Sequence, residues 1–79
     1  MTRNVKALIM ITDQNERYFL EEIGTNDPKV RVYNILATLG NKGPFLEGRD
    51  MFGSVHFVNI EHIAEIYVGE YSLPESEKK

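Results

Sequence analysis

The feature that most constrains this chain is Ser54–Gly69, SVHFVNIEHIAEIYVG. It is the densest apolar stretch, and it is interrupted once, at Asn59-Ile60-Glu61-His62. Before the interruption Val55 and Phe57 alternate with His56 and Val58. After it Ala64, Ile66 and Val68 alternate with Glu65 and Tyr67. A period of two is the strand period. Ile60, Ile63, Ala64 and Tyr67 also fit one face of a helix, but the β-branched and aromatic run Ile66-Tyr67-Val68 favours a strand. The expectation is strand, tight turn, strand, with the upstream chain covering it.

Upstream, Val5–Thr12 is apolar at both alternations, as in a strand covered on both faces. Asp13-Gln14-Asn15-Glu16 is a polar hairpin loop, and Arg17–Ile23 returns as a second strand. Asp27-Pro28 is a helix entry: the carboxylate accepts from first-turn amides, and proline suits the first helical position. Val32, Ile35, Leu36 and Leu39 then make an i, i+3, i+4, i+7 stripe, and Gly40 stands where a left-handed cap would end the helix. A helix over about 28–39 follows, with its stripe facing the core. Lys29–Tyr33 also alternates like a strand, but the stripe and both caps outweigh it. Asn41–Pro44 is a loop, Phe45-Leu46-Glu47 starts a third strand, and Gly48 bends or ends it.

The order β-β-α-β-β-β implies an α+β domain with a small, mostly antiparallel sheet and one covering helix. Its sheet is either flat or a half-open barrel of the Sm-like sort. Residues 1–71 form the single domain, and 72–79, SLPESEKK, form a flexible polar tail.

With 79 residues, the chain holds one domain of limited core. It has no cysteine, so neither disulfides nor a cysteine-based zinc site can staple it. The apolar run after Met1–Asn4 is short and holds Lys6, unlike a secretory leader. No stretch has the roughly 18 apolar residues of a membrane span. A cytoplasmic setting without membrane contact is expected.

Phe57–Ile66, FVNIEHIAEI, resembles the ending of small uncharacterised bacterial β-rich domains. In these a hairpin is followed by a short helix, a Phe-Leu strand and this strand–turn–strand, which here spans Val5 to Val68. The local pattern is also similar to parts of small flagellar proteins and of LytTR-type DNA-binding domains. The resemblance implies the fold, with Asn59 capping the turn, and carries over no active site.

Chemistry-bearing constellations are sparse. His56 and His62, with Glu61 and Glu65, suggest a two-histidine, one-carboxylate metal site, but turn and strand positions do not force them together. Ser54 shares a strand face with His56, yet no acid is spaced to orient that histidine. Glu21 and Glu22 are adjacent on a strand and point to opposite faces, and the glycines lack phosphate-cradle spacing. No enzyme, metal or cofactor is expected.

Lys29, Arg31, Lys42 and Arg49 with Tyr33 could make a small nucleic-acid patch. Against it stand a net charge of −3 and a stretch from Met51 to Tyr71 without Lys or Arg. A non-catalytic protein-interaction or self-assembly module is therefore preferred, with the nucleic-acid domain as the alternative. The expected partner is a second copy or another protein. The expected contact is the final strand, Ile63–Val68, at a sheet edge, with Glu65, Tyr67 and Tyr71 as contact residues and Ala64, Ile66 and Val68 facing in.

Overall fold

The computed structural model describes the backbone of residues 2–74 and the side chains of residues 3–38 and 43–74. Five strands form one antiparallel sheet: β1 (Thr2–Thr12), β2 (Arg17–Glu22), β3 (Phe45–Arg49), β4 (Val55–Asn59) and β5 (Ile63–Pro74). Helix α1 (Pro28–Lys42) lies between β2 and β3, and a 3₁₀ turn, Ile60–His62, links β4 to β5. The spatial order is β4-β3-β2-β1-β5. The fold is thus the expected small α+β sheet with one helix.

The centre of the fold is not where the apolar density of Ser54–Gly69 suggested. β4 and β5 do not pair as a hairpin; they occupy the two opposite edges. One short turn spans those edges only because the sheet curls. The turn is tied to both sides: the Ile60 amide donates to the Pro44 carbonyl (2.8 Å) and the Asp13 amide to the His62 carbonyl (2.8 Å). The far end curls likewise, with the Pro74 ring against Gly53. Among the described residues β4 and β5 share no ladder, so the curled sheet stays open.

β1 supplies most of the core. Val5, Ala7, Leu8, Ile9 and Met10 are all buried, so both its faces are covered, as its doubled apolar alternation implied. On one face Val5, Ala7 and Ile9 join Tyr71 of β5, with Phe19, Tyr67 and Leu73 packed around them. Bulges at Leu8/Ile9 and Ile11/Thr12 add local twist that helps the sheet curl. The β1–β2 loop closes as expected: the Thr12 hydroxyl accepts from the amides of Gln14 and Glu16, and Asn15 takes the left-handed conformation asparagine tolerates (φ 66°).

α1 starts as its sequence dictates. Asp27 Oδ1 accepts from the Lys29 amide (3.0 Å) and the Asp27 carbonyl from the Arg31 amide (3.2 Å). Its end differs. The helix runs through Gly40 to Lys42, and Gly43, at φ 95°, is the left-handed residue that stops it. Gly43 followed by Pro44 makes a stronger stop than Gly40. The inward face also differs: Val32 and Ile35 are half-buried, but Leu36 is 48% exposed. Leu39 lies outside the described side chains. The helix leans on the sheet through Ile35 and an ion pair from Arg31. Leu36→Ala should therefore cost under about 0.5 kcal/mol in a denaturant melt, the scale of a surface substitution rather than of a core deletion.

β5 is longer than expected. Ser72, Leu73 and Pro74 belong to the strand, opposite Asn4, Arg3 and Thr2, and the Ser72 hydroxyl donates to Asn4 Oδ1 (2.6 Å). Only residues 75–79 of the expected tail lie outside the description. Among the described residues no helix is long and apolar enough to cross a membrane.

Candidate interaction surface

β5 does lie at a sheet edge, but two of its three expected contact residues face the core. Tyr71 is 7% exposed, and its hydroxyl lies 3.3 Å from the Arg17 carbonyl and 3.2 Å from that of Arg49, bridging β2 and β3. Burial, then the Asp50 charge, raises its phenol pKa above the ordinary value. Tyr67 packs on the buried cluster, and its hydroxyl accepts from Arg17 Nη1 (3.0 Å). Glu65 is exposed opposite Ile11, and Ala64, expected inward, is also exposed. A single in–out alternation fails here for two reasons. Ala64 is the residue skipped at the Ile11/Thr12 bulge, and Ile66, Tyr67 and Val68 are all partly covered because the sheet curls.

The basic patch is not assembled either. Arg31 grips Glu21 with two nitrogens, at 2.6 and 3.0 Å. That bond holds the Glu21 carboxyl below its ordinary pKa and raises the guanidinium's. Arg31 is thus neutralised against the sheet. Lys29 and Tyr33 are exposed on α1, Arg49 is exposed on β3, and the Lys42 side chain lies outside the description.

Each histidine has an aspartate that sequence spacing did not reveal. His56 Nε2 is 2.8 Å from Asp50 Oδ2, across the β3–β4 hairpin. Asp50 Oδ1 accepts from the amides of Phe52 (2.9 Å) and Ser54 (3.0 Å), so the carboxylate also braces the turn. These contacts, the His56 bond foremost, lower the Asp50 pKa. His62 Nδ1 is 3.0 Å from Asp13 Oδ2 on the surface. The acid found missing for His56 is therefore present, because the hairpin folds Asp50 back. The ring next to His56 is Tyr18, at 4.7 Å between centroids, and the Tyr18 hydroxyl donates to Glu16 (3.1 Å). A cleft of about 530 Å³ runs past Tyr18, Asp50, Phe52, His56 and Tyr71. Among the described residues no three His, Asp or Glu side chains converge as metal ligands.

Exposed apolar side chains lie on α1 (Val30, Tyr33 and Leu36) and, on the sheet, on β3 and β4. Phe57 is 66% exposed, with Val55 beside it on β4 and Phe45 on β3. The register places Phe45 opposite Asn59, Glu47 opposite Phe57 and Arg49 opposite Val55, so these six residues share the sheet's outer face. The hairpin tip adds Met51 and Phe52, the latter 81% exposed on a turn that Asp50 holds rigid.

Backbone parity adds a second feature at the same residues. The Ile60 amide bonds to Pro44 and the Asp50 amide to Ser54. Antiparallel ladders alternate bonded and non-bonded pairs, so 46/58 and 48/56 continue the bonded set. Val55 and Phe57 therefore aim their backbone N–H and C=O groups away from β3, toward the open edge, as does the Asn59 N–H, while the Asn59 carbonyl opens the 3₁₀ turn. The sequence carried this signal as the Val55/Phe57 alternation. Its outward sense was hidden until β4 was placed at an edge.

No protein-family model, curated protein or solved structure matches this chain.

Proposed function

We propose that the protein is a non-catalytic interaction module that self-assembles through the β4 edge. One observation carries this reading: among the described residues β4 is an edge strand with open backbone groups and exposed Val55 and Phe57, and it shows none of the usual protections. Edges are ordinarily blunted by charge, proline, a bulge or a covering element. β4 reads Val-His-Phe-Val-Asn, without acid, lysine or proline, and its register with β3 is regular. A free edge of this kind pairs with another chain. A cytoplasmic setting fits the lack of cysteine.

The non-catalytic part is supported by the engagement of the candidate acids and bases in bracing loops. Asp50 holds a turn, and Glu21 holds the helix. The nucleic-acid alternative has less support, since Arg31 is neutralised and the acidic balance opposes phosphate.

Light scattering across concentration tests the proposal. The wild type should exceed its 9.1 kDa monomer mass at high micromolar concentration. Phe57→Glu should return it to the monomer with a melt changed by no more than about 0.5 kcal/mol, because the side chain is outside the core. A wild type monomeric throughout that range overturns self-assembly.

A further inference from the structure

Resting on that reading, we infer that the occupant of the β4 edge is a second copy of β4, antiparallel across a two-fold axis at Phe57. The two curled sheets then join into one continuous ten-stranded sheet.

Backbone parity restricts the pairing to registers that set outward groups against outward groups, and centring on Phe57 engages all three such residues. Val55 and Phe57 point their peptide groups outward and Asn59 its N–H, so a partner must present its own outward groups at the same spacing. Centred on Phe57, the strand does this for itself. Phe57 exchanges N–H and C=O bonds with Phe57 of the second copy, and the Asn59 amide donates to the Val55 carbonyl of the second copy. His56 falls opposite Val58 of the second copy. A shift by one residue would set inward groups against outward ones and lose these bonds. The two-fold operation makes the interface self-complementary, so no second sequence has to match it.

Side chains and charges agree. On the outer face the central row reads Glu47, Phe57, then Phe57 and Glu47 of the second copy. The aromatic pair is adjacent, within the distance at which cross-strand rings attract. The two glutamates are three strand spacings apart, roughly 14 Å, beyond the screening length of about 8 Å. The next rows read Arg49, Val55, then Asn59 and Phe45 of the second copy, so no like charges face each other. The other edge is less suited: Glu65 and Glu70 are both exposed on β5, and a copy of β5 would bring more acid to acid.

Size sets the strength. Val55, Phe57 and Phe45 leave only a small apolar patch on this face. Such a patch falls short of the roughly 800 Å² per partner of a standard interface, so the dimer is weak, with a dissociation constant in the micromolar range.

Single cysteines test the register, since the chain has none of its own. Val55→Cys and Asn59→Cys sit on exposed or half-exposed positions and leave Phe57 in place; the latter gives up the cap on the Glu61 amide (2.9 Å), on a turn still tied by the Ile60 amide to Pro44. In the proposed pairing residue 55 lies opposite residue 59 of the second copy, about 5 Å away, whereas two copies of residue 55 are about 14 Å apart. A bis-maleimide reaching about 8 Å should link a mixture of the two variants and neither variant alone. Adding Phe57→Glu to both should abolish the product. If light scattering shows a dimer but the mixture gives no more product than the single variants, this register is overturned while self-assembly stands. If the wild type is monomeric, both fall.

Discussion

Replacing Ile9 by alanine is expected to destabilise the fold by about 2–5 kcal/mol. At roughly 0.05–0.15 kcal/mol per residue, a domain of this length has about 4–12 kcal/mol in total, so the change removes a large part of it. Ile9 is fully buried on β1, between Phe19 of β2 and Tyr67 of β5. Its neighbours in the cluster are Val5, Ala7 and Tyr71. These lie on three hydrogen-bonded strands, and Tyr71 is further fixed by its hydroxyl bridging Arg17 and Arg49. The walls of the resulting cavity therefore cannot close over it, which places the cost in the upper part of the range. At 4–8 °C per kcal/mol for a domain of this size, melting should fall by at least about 10 °C. Urea melts would show the loss as a lower midpoint at unchanged slope. A loss below about 1 kcal/mol would mean that β1 is not the core strand.

What was legible in the sequence was local. The β1–β2 hairpin was readable because Thr12–Glu16 is polar, short and flanked by strand-like runs. The start of α1 was readable because Asp27 and Pro28 act on adjacent backbone. What was not legible depends on pairing between distant segments. The apolar density of Ser54–Gly69 signals burial, but not that its two halves part to opposite edges. The Tyr67 and Tyr71 rings looked available because a strand beside a polar tail suggests a bare face, yet β5 continues to Pro74 and curls over β1. Leu36 fits the helical stripe, but on a narrow curled sheet the helix half-buries Val32 and Ile35 and leaves Leu36 outside. Asp50 was missed as the partner of His56 because the two meet across a hairpin turn, at a spacing that fits no motif. The best candidate surface was misplaced for the same reason: an exposed Phe57 is recognisable only once β4 is placed at the edge of the described sheet.

Gly48→Ala is expected to cost about 1–3 kcal/mol or more, although it adds a single methyl group. The strand reading treated Gly48 as a bend or an end. It is instead a buried residue inside β3, where another chain approaches closely. A Cβ there would lie 2.7 Å from Met10 Cε, 2.9 Å from Tyr18 Cβ and 3.3 Å from the Phe19 carbonyl oxygen. Met10 Cε is the end of a flexible chain, but Met10 is fully buried and has little space to enter. Tyr18 Cβ and the Phe19 carbonyl are fixed to the backbone of β2, so β2 and β3 must separate. Their pairing is short, with one registered pair at Phe19 and Arg49, so separation would break the join between the β3–β4 hairpin and the rest of the sheet. Separation would also move Tyr18 from His56 and strain the Asp50 turn. Gly69→Ala is the control. Its Cβ would meet the Tyr67 ring edge at 3.0 Å and Ile9 Cδ1 at 3.5 Å, and a side-chain ring can give way where a backbone cannot. Thermal melts should therefore rank Gly48→Ala well below Gly69→Ala. Equal melts for the two would show that β2 and β3 are not in close contact at Gly48, and the position of β3 in the sheet would have to be redrawn.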